Sequence, residues 1–264
     1  MRLLERILTQ RTKDKARAYL APTQLGIGVG GGVEAVAHLL QVASLAIAAE
    51  KDVVIQSVDF SNAFNCIDRT AVLEQVAGVV PELTRFYRWA YGHASPLFVG
   101  REKVADAMQG VRQGDPLGPL LFSLGLHPVL KLIQDTYAVR VVAYLDDVYL
   151  VGEENEVREA FTRLGELATG TGLRVNREKS KLLDLATWNN GGGIAALSTP
   201  VGGRTFINEF LRKSLTEKAD VIGHICEFAP RHALSIHVES KRRCSPALLG
   251  QDFPSGGKRH LPRI

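Results

Sequence analysis

The chain has 264 residues, 45% of them hydrophobic and 23% charged, with a formal net charge of +4. That balance excludes a disordered chain, which has far fewer apolar residues, and the length allows one large domain or two small ones around a sizeable core. Residues 231–264 hold seven Lys/Arg against two Asp/Glu, leaving 25 against 26 in residues 1–230, so net charge gives no argument for a nucleic-acid-binding body.

Residues 1–19 predict a basic helix, with Leu4, Ile7 and Leu8 on one face and six Lys/Arg elsewhere, stopped by Pro22. The charges spread through the first 20 residues argue against a signal peptide. A glycine-rich connector, Gly26 to Gly32, leads into an apolar helix over 33–50. Glu34, His38, Gln41 and Ser44 interrupt that helix, so it reads as buried in protein rather than as a membrane span. A strand from Val53 to Asp59, a polar turn at Ser61-Asn62 and a helix over 70–79 follow. Residues 86–98 are aromatic-rich and fit either a helix or a strand. Gly110 to Gly118 is a loop, with Gly118 and Pro119 as N-cap and first residue of an apolar helix that Pro128 is expected to kink.

Residues 139–151, VRVVAYLDDVYLV, are two β-rich runs meeting at Asp146-Asp147, a hairpin signal. Val157, Phe161, Leu164 and Ala168 mark an amphipathic helix over 154–169, ended by Gly170 and Gly172. Beyond Asp184 the pattern decays into a glycine linker, a helix over 205–219 and, after Ser240, an unpatterned basic tail expected to be disordered. Cys66, Cys226 and Cys244 are odd in number and lack CxxC spacing, which points to a reducing compartment and an intracellular chain, nucleus and cytoplasm being equally open.

Gly26, Gly28 and Gly31 satisfy the dinucleotide-binding pattern GxGxxG, but APTQL precedes it where a strand is required, so a connector is the better reading. Three aspartates carry the stronger signal. Asp59 closes a strand, and Asp146 and Asp147 sit at a hairpin tip, where neighbouring residues can share a site because the strand turns. Converging carboxylates repel one another, and a hard divalent cation, Mg²⁺ or Mn²⁺, removes that penalty. A solvated turn is the competing account, and these residues alone leave both open.

The blocks VDFSNAFNCIDR (58–69), GVRQGDPLGPLLFSL (110–124), AYLDD (143–147) and GLRVNREKSKLL (172–183), in that order, resemble reverse transcriptases of non-LTR retrotransposons. ARAYLAPTQLGIGVGG (16–31) also resembles the block preceding the palm of these enzymes. The resemblance implies an α+β polymerase palm, an antiparallel sheet backed by helices, with partial fingers and a partial thumb. The implied division is fingers remnant and connector in 1–50, palm in 51–190, start of the thumb in 191–230 and basic tail in 231–264. It implies RNA-directed DNA synthesis on an RNA template and DNA primer, with dNTPs and two Mg²⁺ ions (Mn²⁺ possible), no membrane, and an oligomeric state left open.

By the same resemblance Asp59, Asp146 and Asp147 are the metal ligands, with the Phe60 carbonyl as an extra oxygen. Phe64 lies under the incoming sugar and excludes a 2′-hydroxyl. Gln113 and Gly114 lie against the templating base and nucleotide, and Lys179, with Lys181 as competitor, reaches the triphosphate. Asp115 fits equally well as a cap of the next helix, and Arg69 fits better as a salt-bridge partner than as a catalytic residue. LSTPVG (197–202) resembles a primer-gripping turn in which the family usually has Gly where Ser198 stands. Only about 20 residues precede the glycine-rich block, so most of the fingers is expected to be absent. A catalytically inactive, nucleic-acid-binding remnant of such an element is therefore the alternative function.

Overall fold

The computed structural model describes residues 2–112 and 114–228. Among the described residues, 2–210 form one compact unit and 211–228 belong to another. The expected basic tail and Gln113 lie outside the described residues.

The elements in chain order begin with helices α1 (Arg2–Leu20) and α2 (Gly32–Ala48), strand β1 (Val54–Val58), and helices α3 (Ala63–Cys66), α4 (Arg69–Val79) and α5 (Thr84–Tyr91). Strands β2 (Ser95–Val99) and β3 (Glu102–Ala107) precede α6 (Gly118–Thr136), β4 (Arg140–Tyr144), β5 (Asp147–Gly152) and α7 (Glu154–Thr169). Strand β6 (Leu182–Leu183), helix α8 (Leu185–Asn189), strands β7 (Gly193–Ala196) and β8 (Thr199–Gly202) and helix α9 (Arg204–Phe228) complete the order. The central sheet runs β4-β5-β1-β6 and every strand pair in it is antiparallel, as an α+β palm requires.

Alternation along the strands divides the core. Val54 and Val58 of β1, Val148 and Leu150 of β5 and Val141 and Ala143 of β4 face a large cluster that includes residues of α4, α6 and α7. Ile55, Tyr149 and Val142, one residue out of step, face a smaller cluster with Val36, Leu40 and Ile47 of α2 and Ile194 and Val201 of the β7–β8 hairpin. Helix α6 is the centre of the larger cluster, with Leu120, Leu121, Phe122, Leu124 and Leu126 all at 1% exposure or less. Each contributes about 1.5–3 kcal/mol of burial. The helix continues through Pro128, from Gly118 to Thr136.

Several expectations are corrected. Of Leu4, Ile7 and Leu8, expected on one face of α1, Leu8 packs against the core while Leu4 and Ile7 are exposed, and the buried residues include Thr12, Ala16 and Leu20. Leu117, not Gly118, occupies the N-cap of α6. The β4–β5 turn is Leu145-Asp146, one residue earlier than the acidic pair suggests, and Asp147 opens β5. The expected glycine linker after Asn190 holds the start of the β7–β8 hairpin, with Gly193 paired to Gly202. Among the described residues no helix is long and apolar enough to cross a membrane.

Candidate active site

Register places the acids. Val58 of β1 pairs with Val148 of β5, so the next residues outward, Asp59 and Asp147, stand opposite each other. Both have the parity of Ile55 and Tyr149, which sets them on the sheet face of the smaller cluster. Asp146 lies beside Asp147 in a two-residue turn whose first residue, Leu145, is left-handed at φ 59°. A left-handed leucine is unfavourable and persists only where surrounding structure imposes it.

The electrostatics follow from this convergence. Burial, followed by the charge of Asp59, raises the Asp146 pKa above the ordinary carboxylate range. Asp147 is exposed, yet enough protein surrounds it that lost hydration, ahead of the charges of Asp146 and Asp59, pushes its pKa up to about 6. Among the described residues no three His, Cys, Asp or Glu side chains are grouped so as to hold a metal ion as they stand. The donor chemistry nevertheless suits a hard divalent cation, because the centre offers converging carboxylates that repel one another. Phe60, expected as an extra oxygen donor, follows Asp59 directly. Its pairing with Val175 is bridged by Ser61 N–H to Arg174 C=O (2.9 Å) and Asn176 N–H to Asp59 C=O (2.8 Å), which turns the Phe60 carbonyl away from that neighbour.

Two brackets hold the acids, and neither was found from sequence. The Asp59 N–H donates to Ser180 Oγ (3.1 Å), while the Ser180 hydroxyl donates to the Asn176 carbonyl (2.8 Å). On the other side of the centre, Gln24 Oε1 accepts from Leu145 N–H (2.7 Å) and Gly26 N–H (3.0 Å), and Gln24 Nε2 donates to the Leu145 carbonyl (3.0 Å). In the sequence Gln24 lies inside the block ARAYLAPTQLGIGVGG, and nothing there singles it out. Its burial, 1% exposed, is visible only in three dimensions.

The remaining expected site residues divide. Phe64 is half-buried and stacks on Phe122 with ring centroids 4.5 Å apart, so it is anchored in the core while part of the ring stays accessible. Its carbonyl accepts the Val111 N–H (2.7 Å), which ties the 110–118 loop to α3. Gly110 in that loop has φ 75°, and a Cβ there would lie 2.4 Å from the Asn65 backbone, so only glycine fits. Gly114 has φ 79°, and a Cβ at that position would meet nothing within 4 Å, so the space on that side is open. Lys179 is exposed in the turn that brackets Asp59, and among the described residues its ammonium is in no ion pair; Lys181 is exposed as well.

Asp115 is structural. Its Oδ1 accepts the Leu117 N–H (2.8 Å) just before α6, and its Oδ2 accepts from the Tyr91 hydroxyl. Among the described residues Arg69 forms no salt bridge. Its Nε donates instead to the Gly110 carbonyl (2.9 Å), and its guanidinium lies over the Tyr91 ring at 5.4 Å. A second guanidinium, Arg112, also lies over that ring at 5.2 Å, so an aromatic and two cations fix the base of the loop. The β7–β8 turn places Leu197 and Ser198 at φ 49° and 64°, a pair of left-handed residues that accounts for the expectation of glycine at 198. Leu197 packs against the smaller cluster that contains Tyr149, two residues along β5 from Asp147.

The family described as reverse transcriptase (RNA-dependent DNA polymerase) matches residues 1–224. The retrotransposable element SLACS 132 kDa protein of Trypanosoma brucei gambiense is 31% identical over 205 residues, covering 74% of this chain and 16% of that protein. The retrovirus-related Pol polyprotein from type-1 retrotransposable element R2 of Bradysia coprophila is 30% identical over 147 residues, covering 51% of this chain and 17% of that protein. The chain thus spans about a sixth of the length of these relatives. Among solved structures, telomerase from Candida tropicalis with a TWJ fragment of telomeric RNA has a TM-score of 0.56 at 11% identity, covering 75% of this chain and 36% of that one. Apo telomerase from the same organism has a TM-score of 0.54 at 10% identity, covering 78% and 39%. These likenesses show the fold.

Proposed function

The chain belongs to the reverse transcriptase family, and from that premise we propose that it performs RNA-directed DNA synthesis, joining a dNTP to a primer 3′-hydroxyl on an RNA template. The observation that carries this reading is the register that sets Asp59 opposite Asp147 on one sheet face, with Asp146 in the adjoining turn. Asp59, Asp146 and Asp147, with the Phe60 carbonyl, would hold two Mg²⁺ or Mn²⁺ ions. When bound, such ions lower the pKa of the primer hydroxyl and neutralise charge on the departing pyrophosphate.

The other residues bind and orient. Phe64, held by its stack on Phe122, presents the accessible part of its ring to the sugar and excludes a 2′-hydroxyl. Gly114 lies against the nucleotide, which the open space beside it admits, and Gln113, outside the described residues, is assigned to the templating base by family resemblance alone. Lys179 supplies a mobile cation for the triphosphate from the turn that brackets Asp59.

Primer extension on an RNA template with dNTPs and Mg²⁺ tests the reading. The expected outcome is extension by the wild type and a loss of about 10³-fold or more in Asp146→Ala, on the scale of removing a central electrostatic contributor. A wild type that binds template but extends nothing would establish the inactive remnant instead.

A further inference from the structure

The turn that carries Asp146 has an unfavourable backbone, and one buried side chain meets it on both polar atoms of its left-handed residue. Gln24 accepts the Leu145 N–H and donates to the Leu145 carbonyl, while its Oε1 is fixed from behind by the Gly26 N–H. The backbone around Gln24 is itself pinned to the sheet edge. Leu25 N–H donates to the Ala143 carbonyl and Ala143 N–H to the Thr23 carbonyl, both at 2.7 Å. The approach is close enough that a Cβ on Gly26 would lie 2.8 Å from Leu145 Cδ2 and 2.9 Å from Leu145 N.

We propose that Gln24 is a positioning residue of the acid centre, whose carboxamide locks the Leu145–Asp146 turn in the conformation that sets Asp146 beside Asp59. The inference rests on the polymerase reading for its catalytic consequence and on geometry alone for the lock. The two kinds of bond separate its role from simple edge coverage. The backbone bonds run to β4 and survive any change of the side chain. The side-chain bonds reach the turn and Gly26, so removing them frees the turn while leaving the edge paired. The left-handed φ of Leu145 adds a genetic handle, because glycine adopts that conformation without help. Leu145→Gly therefore makes the lock dispensable.

The experiment uses the full chain in four forms: wild type, Gln24→Met, Leu145→Gly and the double variant. Methionine nearly matches glutamine in length and removes all three hydrogen bonds. Hydrogen exchange is read at Leu145 and along β4–β5, Mn²⁺ affinity is measured by titration, and primer extension is resolved into kcat and KM for dNTP. In Gln24→Met, exchange at Leu145 rises roughly tenfold or more while the β4–β5 ladder stays protected. Mn²⁺ affinity drops, and kcat falls about 10- to 100-fold with little change in KM. The double variant recovers most of that kcat. Unchanged Leu145 exchange in Gln24→Met, or loosened exchange with full kcat and Mn²⁺ affinity, overturns the proposal, as does a double variant no better than Gln24→Met. A wild type without extension removes the polymerase reading, and the lock then stands or falls on Leu145 exchange and Mn²⁺ affinity.

Discussion

Asp147 shows the cost of a centre assembled from like charges. Surrounding protein and the neighbouring charges of Asp146 and Asp59 push its pKa up to about 6, so the ionised form at neutral pH is held in an environment that disfavours it. Removing that charge relieves the repulsion. Asp147→Asn is therefore expected to be more stable than wild type at pH 7.5 in the presence of a chelator. The gain is limited to about 0.5–1 kcal/mol because the residue is exposed and solvent screens the interaction. Urea denaturation checks the direction, and the order of stability should reverse in millimolar Mn²⁺, which favours the folded wild type by binding it. A variant less stable than wild type under chelation would show that the three carboxylates do not repel in the folded chain. The raised pKa of Asp147 and the left-handed backbone of Leu145, two residues away, are both unfavourable locally and are held in place by the fold.

At the scale of elements, short pieces around the centre depend on caps. Helix α8 has five residues, and Asp184 at its N-cap accepts the Thr187 N–H (2.7 Å). The hydrogen bonds to Thr187 hold the Asp184 pKa below the ordinary carboxylate value. A folded-state pKa below the unfolded one gives stability that is present above the unfolded value, near pH 4, and is lost as pH falls through the folded one. Asp184→Ala should cost about 1 kcal/mol at pH 7 and progressively less below pH 4, measured by urea denaturation across that range. An equal deficit at pH 7 and pH 2.5 would assign the loss to packing. Helix α7 was legible to the residue, since its apolar positions recur at helical spacing and glycines end it. The β2–β3 hairpin was not, because almost every residue of Ser95–Val99 and Glu102–Ala107 is exposed and so leaves no alternating pattern. The acids of the site were legible because Asp59 follows one β-rich run and Asp146-Asp147 joins two others, all in local sequence. Gln24 was not, because its partner Leu145 is 121 residues away and nothing local marks the pairing.

For the whole molecule, charge distribution separates chemistry from grip. Residues 1–230 carry 25 Lys/Arg against 26 Asp/Glu, so the part that holds the acid centre offers nucleic acid no net attraction. Binding a polyanion then requires local basic faces or the segment 231–264, with its seven Lys/Arg against two Asp/Glu. Helix α1 supplies one such face, on which Arg2, Arg6, Lys13 and Arg17 fall together at helical spacing. Salt dependence distinguishes the two sources, because each neutralised phosphate on a single strand contributes about 0.7 to the slope of log K against log salt. Replacing the seven basic residues of 231–264 by glutamine in the full chain is expected to weaken template binding and to reduce the magnitude of that slope by about 3 to 5. Anisotropy titrations of a labelled RNA between 50 and 200 mM salt measure it. Primer extension at saturating template should be nearly unchanged in this variant, since none of the replaced residues belongs to the acid centre. An unchanged slope would place the grip on the basic faces of residues 1–230, with α1 first among them, and would make a near-neutral body bind nucleic acid by how its charge is arranged and not by how much it carries.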